Sequence, residues 1–336
     1  MIRRPAALLA LALTLAIALT ACASAAPPDA SPSVTPSITS TPTPSPTPEV
    51  LVIAGGEKPP TVFGDDCAAA LDAGVIAAVH GLESVRISPI GGSANVGGLS
   101  CKWEAADVMG YVSIITQRAL GDAELSTDNT RWRFEECGWG CEWLWESDEL
   151  WISGYSTDLP QVGRAEADRR GDIIGAGIVD RHLALGEVAW DRDTARWWPA
   201  MKCADLAAIV GARLDAPVTG DETGYHDPPL AETVISDIAT RQTWCTFAIE
   251  GVVFASARLM PGMAWSTPSS EYTAPYPIDV TGITGYIYSA PGYLGGTAFS
   301  LRTDVNEIGI EVAESSPWGD ADLVAVFAEL AAGDFR

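Results

Sequence analysis

Two stretches of this chain repeat one another around cysteine, and that repeat constrains the fold more than anything else in the sequence. Asp66-Cys67-Ala68-Ala69-Ala70-Leu71 matches Lys202-Cys203-Ala204-Asp205-Leu206-Ala207, and each opens a run with helical spacing. In the first run Cys67, Leu71, Val75 and Ala78 share a predicted face; in the second Cys203, Leu206, Ala207, Val210 and Leu214 do. A loop follows in each case, 91–98 and 219–229. Then Cys101-Lys102-Trp103 answers Cys245-Thr246-Phe247, and a β-like run follows each, Tyr111–Ile115 and Val252–Ala255. Both halves end alike, with paired strands around an acidic turn (Leu144–Tyr155 and Phe299–Val312) and then a helix. In the last helix Leu323, Val326, Phe327 and Leu330 form an apolar stripe after a possible Asp320 cap. Its counterpart, Arg164–Leu185, is rich in glycine. The chain therefore reads as a tandem duplication of an α+β unit, each copy an antiparallel sheet packed with helices and stapled by a disulfide.

Location comes from the N-terminus. Met1–Arg4 is basic, and Ala6–Thr20 is an apolar run of 15 residues. That run is short for a bilayer span, which takes about 20 residues. It ends in Leu19-Thr20-Ala21-Cys22, which looks like the lipobox of a bacterial lipoprotein, with Cys22 as the lipidated first residue of the mature chain. Removing Cys22 from the seven cysteines leaves six. Six sulfurs outside the cytoplasm imply three disulfides, for which sequence alone allows 15 pairings. The repeat favours Cys67–Cys101 and Cys203–Cys245 and leaves Cys137 to Cys141. A metal at Cys137 and Cys141 would have only two ligands and no nearby His.

Residues 27–49 hold eight Pro and ten Ser or Thr, a composition that cannot build a core. Extended at about 3.1 Å per residue, this tether reaches roughly 70 Å. The expected organisation is a signal peptide at 1–21, a disordered tether at 22–57, one α+β domain at 58–188 and a second at 189–336. A net charge of −24 repels nucleic acid, so no nucleic-acid partner is expected.

The pairing of Cys67 with Cys101-Lys102-Trp103, and of Cys203 with Cys245-Thr246-Phe247, resembles a module of secreted actinobacterial lipoproteins of unknown function. The second copy departs by Phe for Trp. The resemblance implies an exported α+β binding or accessory module, and it carries over no catalytic residue.

Catalytic motifs are absent from the sequence. His80, His182 and His226 make no paired metal motif, and no G-x-S-x-G, Walker A, H-E-x-x-H or S-x-x-K occurs. Asp191-Arg192-Asp193 begins like a calcium loop but lacks its glycine and terminal Glu. The glycine-rich stretch 91–98 reads as a mobile connection. No cofactor and no metal are expected. The most unusual stretch is 131–151, with Trp132, Trp139, Trp143, Trp145 and Trp151, five of the twelve Trp. Glu135, Glu136, Glu142, Glu146, Asp148 and Glu149 are interleaved. Two readings stand: a rigid aromatic-acidic patch for a glycan, cation or protein partner, or a hairpin whose indoles fill the first core. Trp197-Trp198 reads as packing between the halves. The expectation is a non-enzymatic lipoprotein, anchored through its N-terminal lipid on the extracytoplasmic face of the cell membrane, that binds an envelope protein or glycan. The alternatives are an envelope hydrolase using carboxylates and a structural scaffold.

Overall fold

Two aspartates decide how the first half begins. In the computed structural model, which describes residues 50–120, 141–158, 163–186, 189–222, 231–266, 273–289, 291–333 and 335, Asp66 Oδ1 accepts from the N–H groups of Ala68 and Ala69 at 2.8 and 3.2 Å. It thereby starts α1, Cys67–Ala70. Leu71 is extended, and Asp72 then caps a second helix, α2, Ala73–His80, which stops at left-handed Gly81. The single helix expected from Cys67 onward is thus two helices. The break also shifts the buried face: Ile76 and Ala77 are inside, while Val75 and Ala78 are exposed.

The first sheet contains β2 (Arg86–Ile90), β3 (Leu99–Ala105), β4 (Val108–Thr116), β5 (Cys141–Glu146) and β6 (Leu150–Ser156), in the order β2-β3-β4-β6-β5. Short helix α3 (Gln117–Leu120) follows β4, and α4 (Arg164–Leu185) closes this half. The second half starts with α5 (Cys203–Leu214) and carries α6 (Ala231–Ala239) and α7 (Asp320–Ala332). Its strands are β8 (Thr219–Glu222), β9 (Thr243–Ile249), β10 (Val252–Met260), β11 (Thr273–Tyr276), β12 (Thr284–Tyr288), β13 (Thr297–Arg302) and β14 (Glu307–Val312). Their order is β11-β12-β13-β14-β10-β9-β8. Every pairing in both sheets is antiparallel. The run β8-β9-β10-β14-β13 therefore repeats β2-β3-β4-β6-β5, with β12 and β11 added at the far edge.

Register confirms the repeat residue by residue. Cys101 faces Val112 as Cys245 faces Ala257. Trp143 faces Gly154 as Phe299 faces Ile310. The disulfides Cys67–Cys101 and Cys203–Cys245 are both formed, and each ties a leading helix to the same strand of its sheet. Each half has its own apolar core between sheet and helices. The fold is α+β, in two related copies.

Several details differ from expectation. Leu51–Ile53, placed in the tether, form strand β1, which pairs in parallel with β7 (Trp190–Arg192) at the junction of the halves. The glycine-rich stretch holds a 3-10 turn, Ser93–Val96, with Ser93, Asn95 and Val96 buried. Helix α6 lies just beyond the expected 219–229 loop. Gly319, and not Asp320, caps α7, with Asp322 Oδ2 accepting its N–H at 3.3 Å. Trp198 is core to the second half, edge-on to Phe335, rather than packing between halves.

The described residues fall in one compact unit. Val96, Ile115, Leu120 and Trp151 of the first half pack with Ile235 of α6. Asn95 Nδ2 donates to Pro261 O at 3.1 Å. Arg192 donates to Asn95 O and Oδ1 (2.7 Å each), Gly55 O (3.0 Å), Glu57 O (2.8 Å) and Gly262 O, so one side chain ties three segments to β7. Among the described residues, no helix is long and apolar enough to cross a membrane.

Candidate functional site

The tryptophan-rich stretch supplies the first candidate. Trp143 and Trp151 are 2% and 1% exposed. Trp143 and Trp145 project from one face of β5 onto α4, where a Cβ at Gly171 or Gly175 would overlap their indoles. A Cβ at Gly154 would strike Trp143 from the neighbouring strand. The glycines that make α4 look weak in sequence are thus what lets two indoles lie flat beneath it. Trp151 points to the opposite side, into the cluster with Ile235. Trp143 and Trp151 are core residues, which removes them from an exposed patch; Trp145 is half-buried. Trp132, Trp139, Cys137, Glu135, Glu136 and His226 lie outside the described residues, as does the side chain of Cys141. Glu142 is buried, whereas Glu146, Asp148 and Glu149 are exposed.

The second candidate is a face that spacing and motifs did not single out: the side of the second sheet turned away from α5 and α7, with α6 at its margin. Alternation along each strand and the observed register place Trp244, Arg258, Gly309, Ser300 and Tyr286 in one row across five strands. Met260, Glu307, Arg302 and Thr284 form the next row. Arg258 lies over the Trp244 ring (5.8 Å) and is held by Asp237 Oδ1 and Gln242 Oε1, both at 3.1 Å. Arg302 lies over the Tyr286 ring (5.3 Å) and donates to Glu307 Oε1 at 3.1 Å and Ser266 Oγ at 3.3 Å. Ser300 Oγ donates to the same Glu307 oxygen at 2.7 Å. Arg302, Glu307 and Ser300 are buried, and Trp244, Arg258, Tyr286 and Tyr288 are half-buried. Burial, and then the Glu307 carboxylate, push the Tyr288 phenol above its ordinary value. The face thus carries two clusters of aromatic ring, guanidinium and carboxylate on either side of a small-residue floor.

The first half shows the same positions in another state. Where the second half has Trp244, Arg258, Gly309 and Ser300, the first has Ser100, Ser113, Ser153 and Leu144. Ser93, Ser100 and Ser113 hydroxyls bond to one another at 2.9 and 3.0 Å. Where the second half pairs Glu307 with Arg302, the first has buried Trp151 beside Glu146. This row is sealed under the 3-10 turn and α6. Carrying the repeat through strands β4, β5 and β6 would have shown this divergence in the sequence, because alternate positions on both sides of Cys245 and Ala257 are core.

A third polar group joins α2, β6 and α4. His80 Nδ1 lies 2.8 Å from Arg170 Nη1 and 3.1 Å from Asp158 Oδ2, with its ring on Trp103. Burial pushes the imidazole below its ordinary value, and Asp158 only partly offsets this. Burial also raises Asp158, but bonds from Ser156, Arg170 and His80 reverse the sign and leave it lowered. Glu166 falls to about 2, held by Arg169 and Arg170. The group is a tie between elements, closed off by its own partners. His182 is buried edge-on to Phe63. Among the described residues no cluster of three or more His, Cys, Asp or Glu is placed to hold a metal ion. No protein-family model matches the chain, and no curated protein matches it.

Proposed function

We propose that this chain is a lipid-anchored extracytoplasmic binding protein without catalytic activity, which presents the outer face of its second sheet to a ligand or partner in the envelope. The observation that carries the reading is the divergence between two copies of one fold. One copy has its outer row closed by serines that satisfy one another. The other holds two aromatic rings and two guanidinium groups at the same and adjoining positions. Buried polar clusters are costly to assemble and add little stability compared with apolar packing, so a function is the economical reason to keep one. A binding role fits better than hydrolysis, because Asp237 and Glu307 are each engaged by an arginine. The location rests on the leader, on Cys22, and on two disulfides of a kind that persist outside a reducing cytoplasm.

Two measurements test this. Cys22→Ser should release the protein or leave unprocessed precursor; a variant still processed and held in the membrane refutes lipidation. Hydrogen exchange of the full Cys22→Ser chain, with and without solubilised envelope fragments, should show protection concentrated in β10, β12 and β13. Protection confined to the first sheet would remove the second-sheet face as the site.

A further inference from the structure

We infer that His80 is an acid-operated latch: neutral, it holds the end of α2 against α4, and protonated, it lets α4 go. The latch lies in the first half, apart from the second-sheet face, and does not depend on that face being a binding site.

Three atoms define its two positions. Arg170 Nη1 stands 2.8 Å from His80 Nδ1 and 2.7 Å from Asp158 Oδ2, and His80 Nδ1 stands 3.1 Å from the same Asp158 oxygen. A guanidinium has hydrogens to give and accepts none. Nδ1 is therefore the acceptor, the ring is neutral, and its hydrogen sits on Nε2. A proton added to Nδ1 turns this bond into two N–H groups aimed at one another across 2.8 Å, both cationic. The contact has to break. The new N–H has an acceptor waiting in Asp158. Arg170 has one in Glu166, whose Oε1 already receives its Nε–H at 2.8 Å. One proton thus moves the end of α2 from α4 to the turn after β6.

The groups around the ring decide when this happens. α4 presents Arg170 and Glu166, and Arg169 holds Glu166 from outside. The turn after β6 presents Asp158, with Ser156 Oγ donating to its other oxygen at 2.7 Å. β3 presents the Trp103 ring at 4.4 Å, and α2 adds no other charge along its length. The His80 side chain is 2% exposed. Burial pushes the imidazole below its ordinary value, so the latch is shut at neutral pH and opens in acid. Asp158 and Glu166 are both lowered and stay charged over that range, which leaves His80 as the group that titrates.

What the latch holds is a loosely filled seam. The other end of α2 is tied to α4 by the Asp72–Arg181 pair, 2.7 Å and exposed on both sides. Between the two ends runs an apolar groove lined by Leu71, Val75, Ile76, Ile174, Gly177 and Ile178. A Cβ on Gly177 would meet no atom within 4 Å, so the seam is not close-packed at its middle. With the latch open, α2 swings about its Asp72 end and uncovers Ile76, Ile174 and Ile178, which are buried while it is shut.

The test is imidazole NMR together with hydrogen exchange of the full Cys22→Ser chain. The chain has three His, and His80→Gln assigns the His80 signals. At about pH 7.5 His80 should carry its hydrogen on Nε2 and titrate below about 6.5. From about pH 6.5 down to the His80 midpoint, protection in α2 and in 170–178 of α4, corrected for intrinsic exchange, should fall about tenfold per pH unit. Protection in α5 and α7 should stay level. The Gln amide oxygen of His80→Gln still accepts from Arg170 and does not titrate, so this variant should lose the slope. A hydrogen on Nδ1 at about pH 7.5, a His80 titration that leaves α2 protection unchanged, or the same slope in His80→Gln overturns the inference. The tautomer and the slope are read on the parent chain, so they decide the matter even where His80→Gln fails to fold.

Discussion

Arg192 offers the sharpest test of how the halves are joined. Its guanidinium donates to five oxygens on three segments and lies 5.0 Å from the Trp197 ring, with no carboxylate among those partners. Burial pulls its pKa down to about 10, so the oxygens compensate the charge only in part, and it stays protonated at neutral pH. Arg192→Met keeps the length of the stem and removes every donor. The buried guanidinium no longer has to be desolvated, which returns several kcal/mol, but the acceptors lose their partners at about 1–3 kcal/mol for each one that water does not reach. The net expectation is a loss of about 3–5 kcal/mol, the usual cost of removing one partner of a buried charged network. For a folded body of this length, at about 2.1 cal/mol/K per residue, that is a fall in Tm of roughly 5–8 °C. Scanning calorimetry of the full chain should show this fall, with the single transition broadening or splitting as the halves uncouple. Arg196→Met is the matched control, because the Arg196–Asp304 pair is 65% exposed on both sides and should cost less than about 1 kcal/mol. An Arg192→Met transition within about 1 kcal/mol of the parent, still single and sharp, would refute the account of Arg192 as the tie.

Three further outcomes are expected. Replacing Cys67 and Cys101, or Cys203 and Cys245, by alanine opens loops of 34 and 42 residues, and chain entropy gives nearly equal losses of about 3.8 and 3.9 kcal/mol; urea titrations that find one pair neutral would contradict the equivalence of the copies. Because the His80 pKa is lowered in the fold, its contribution is fully present above the unfolded value of about 6.5 and is lost as pH falls through the folded value. Urea midpoints should therefore drop on acidification below neutrality, less steeply in His80→Gln, whereas Asp158 and Glu166, both lowered, should add a separate loss only below about pH 4. Trp143→Ala and Phe299→Ala, at matching positions of the two cores, should each cost about 3–5 kcal/mol; a Trp143→Ala loss below about 1 kcal/mol would show that the indole is not the packing element described.

What the sequence disclosed follows the range of the forces involved. The two disulfides and the paired strands at the end of each half are written in spacing, because local periodicity and cysteine placement carry them, whereas the glycine-rich helix Arg164–Leu185 is legible only as the counterpart of the last helix in the repeat. The break after Ala70 was visible only as Asp72, since whether an aspartate recaps the chain or sits on a solvated face is decided by Leu71 turning outward from the helix. Trp143 and Trp151 could be assigned to core only once their cross-strand partners were known. Each lies on a different side of the sheet, and composition counts them alike. Arg192 was least legible of all. Between two aspartates it looks like part of an acidic loop, yet its acceptors come from residues up to 137 positions away.

The added strands β11 and β12 set the outer face of the second sheet apart from that of the first. In the first sheet β5 is an edge strand, and Arg164 Nη1 covers it by donating to Glu142 O, which blunts the edge and ends the sheet. In the second sheet the equivalent strand β13 is instead paired on both sides, because β12 continues the ladder. That continuation brings Tyr286 and Tyr288 onto the outer face beside Arg302 and Ser300. A longer sheet gives a broader floor, and a ring at its new end gives the floor a second wall. The first copy keeps its outer row for packing against α6 through Ile115 and Trp151, so it anchors the helix that also carries Asp237 to Arg258. One copy therefore positions a carboxylate for the other. The two copies thus carry matching rows of different chemistry: polar side chains paired with Asp237 and Ser266 in the second, and serines and apolar packing against α6 in the first.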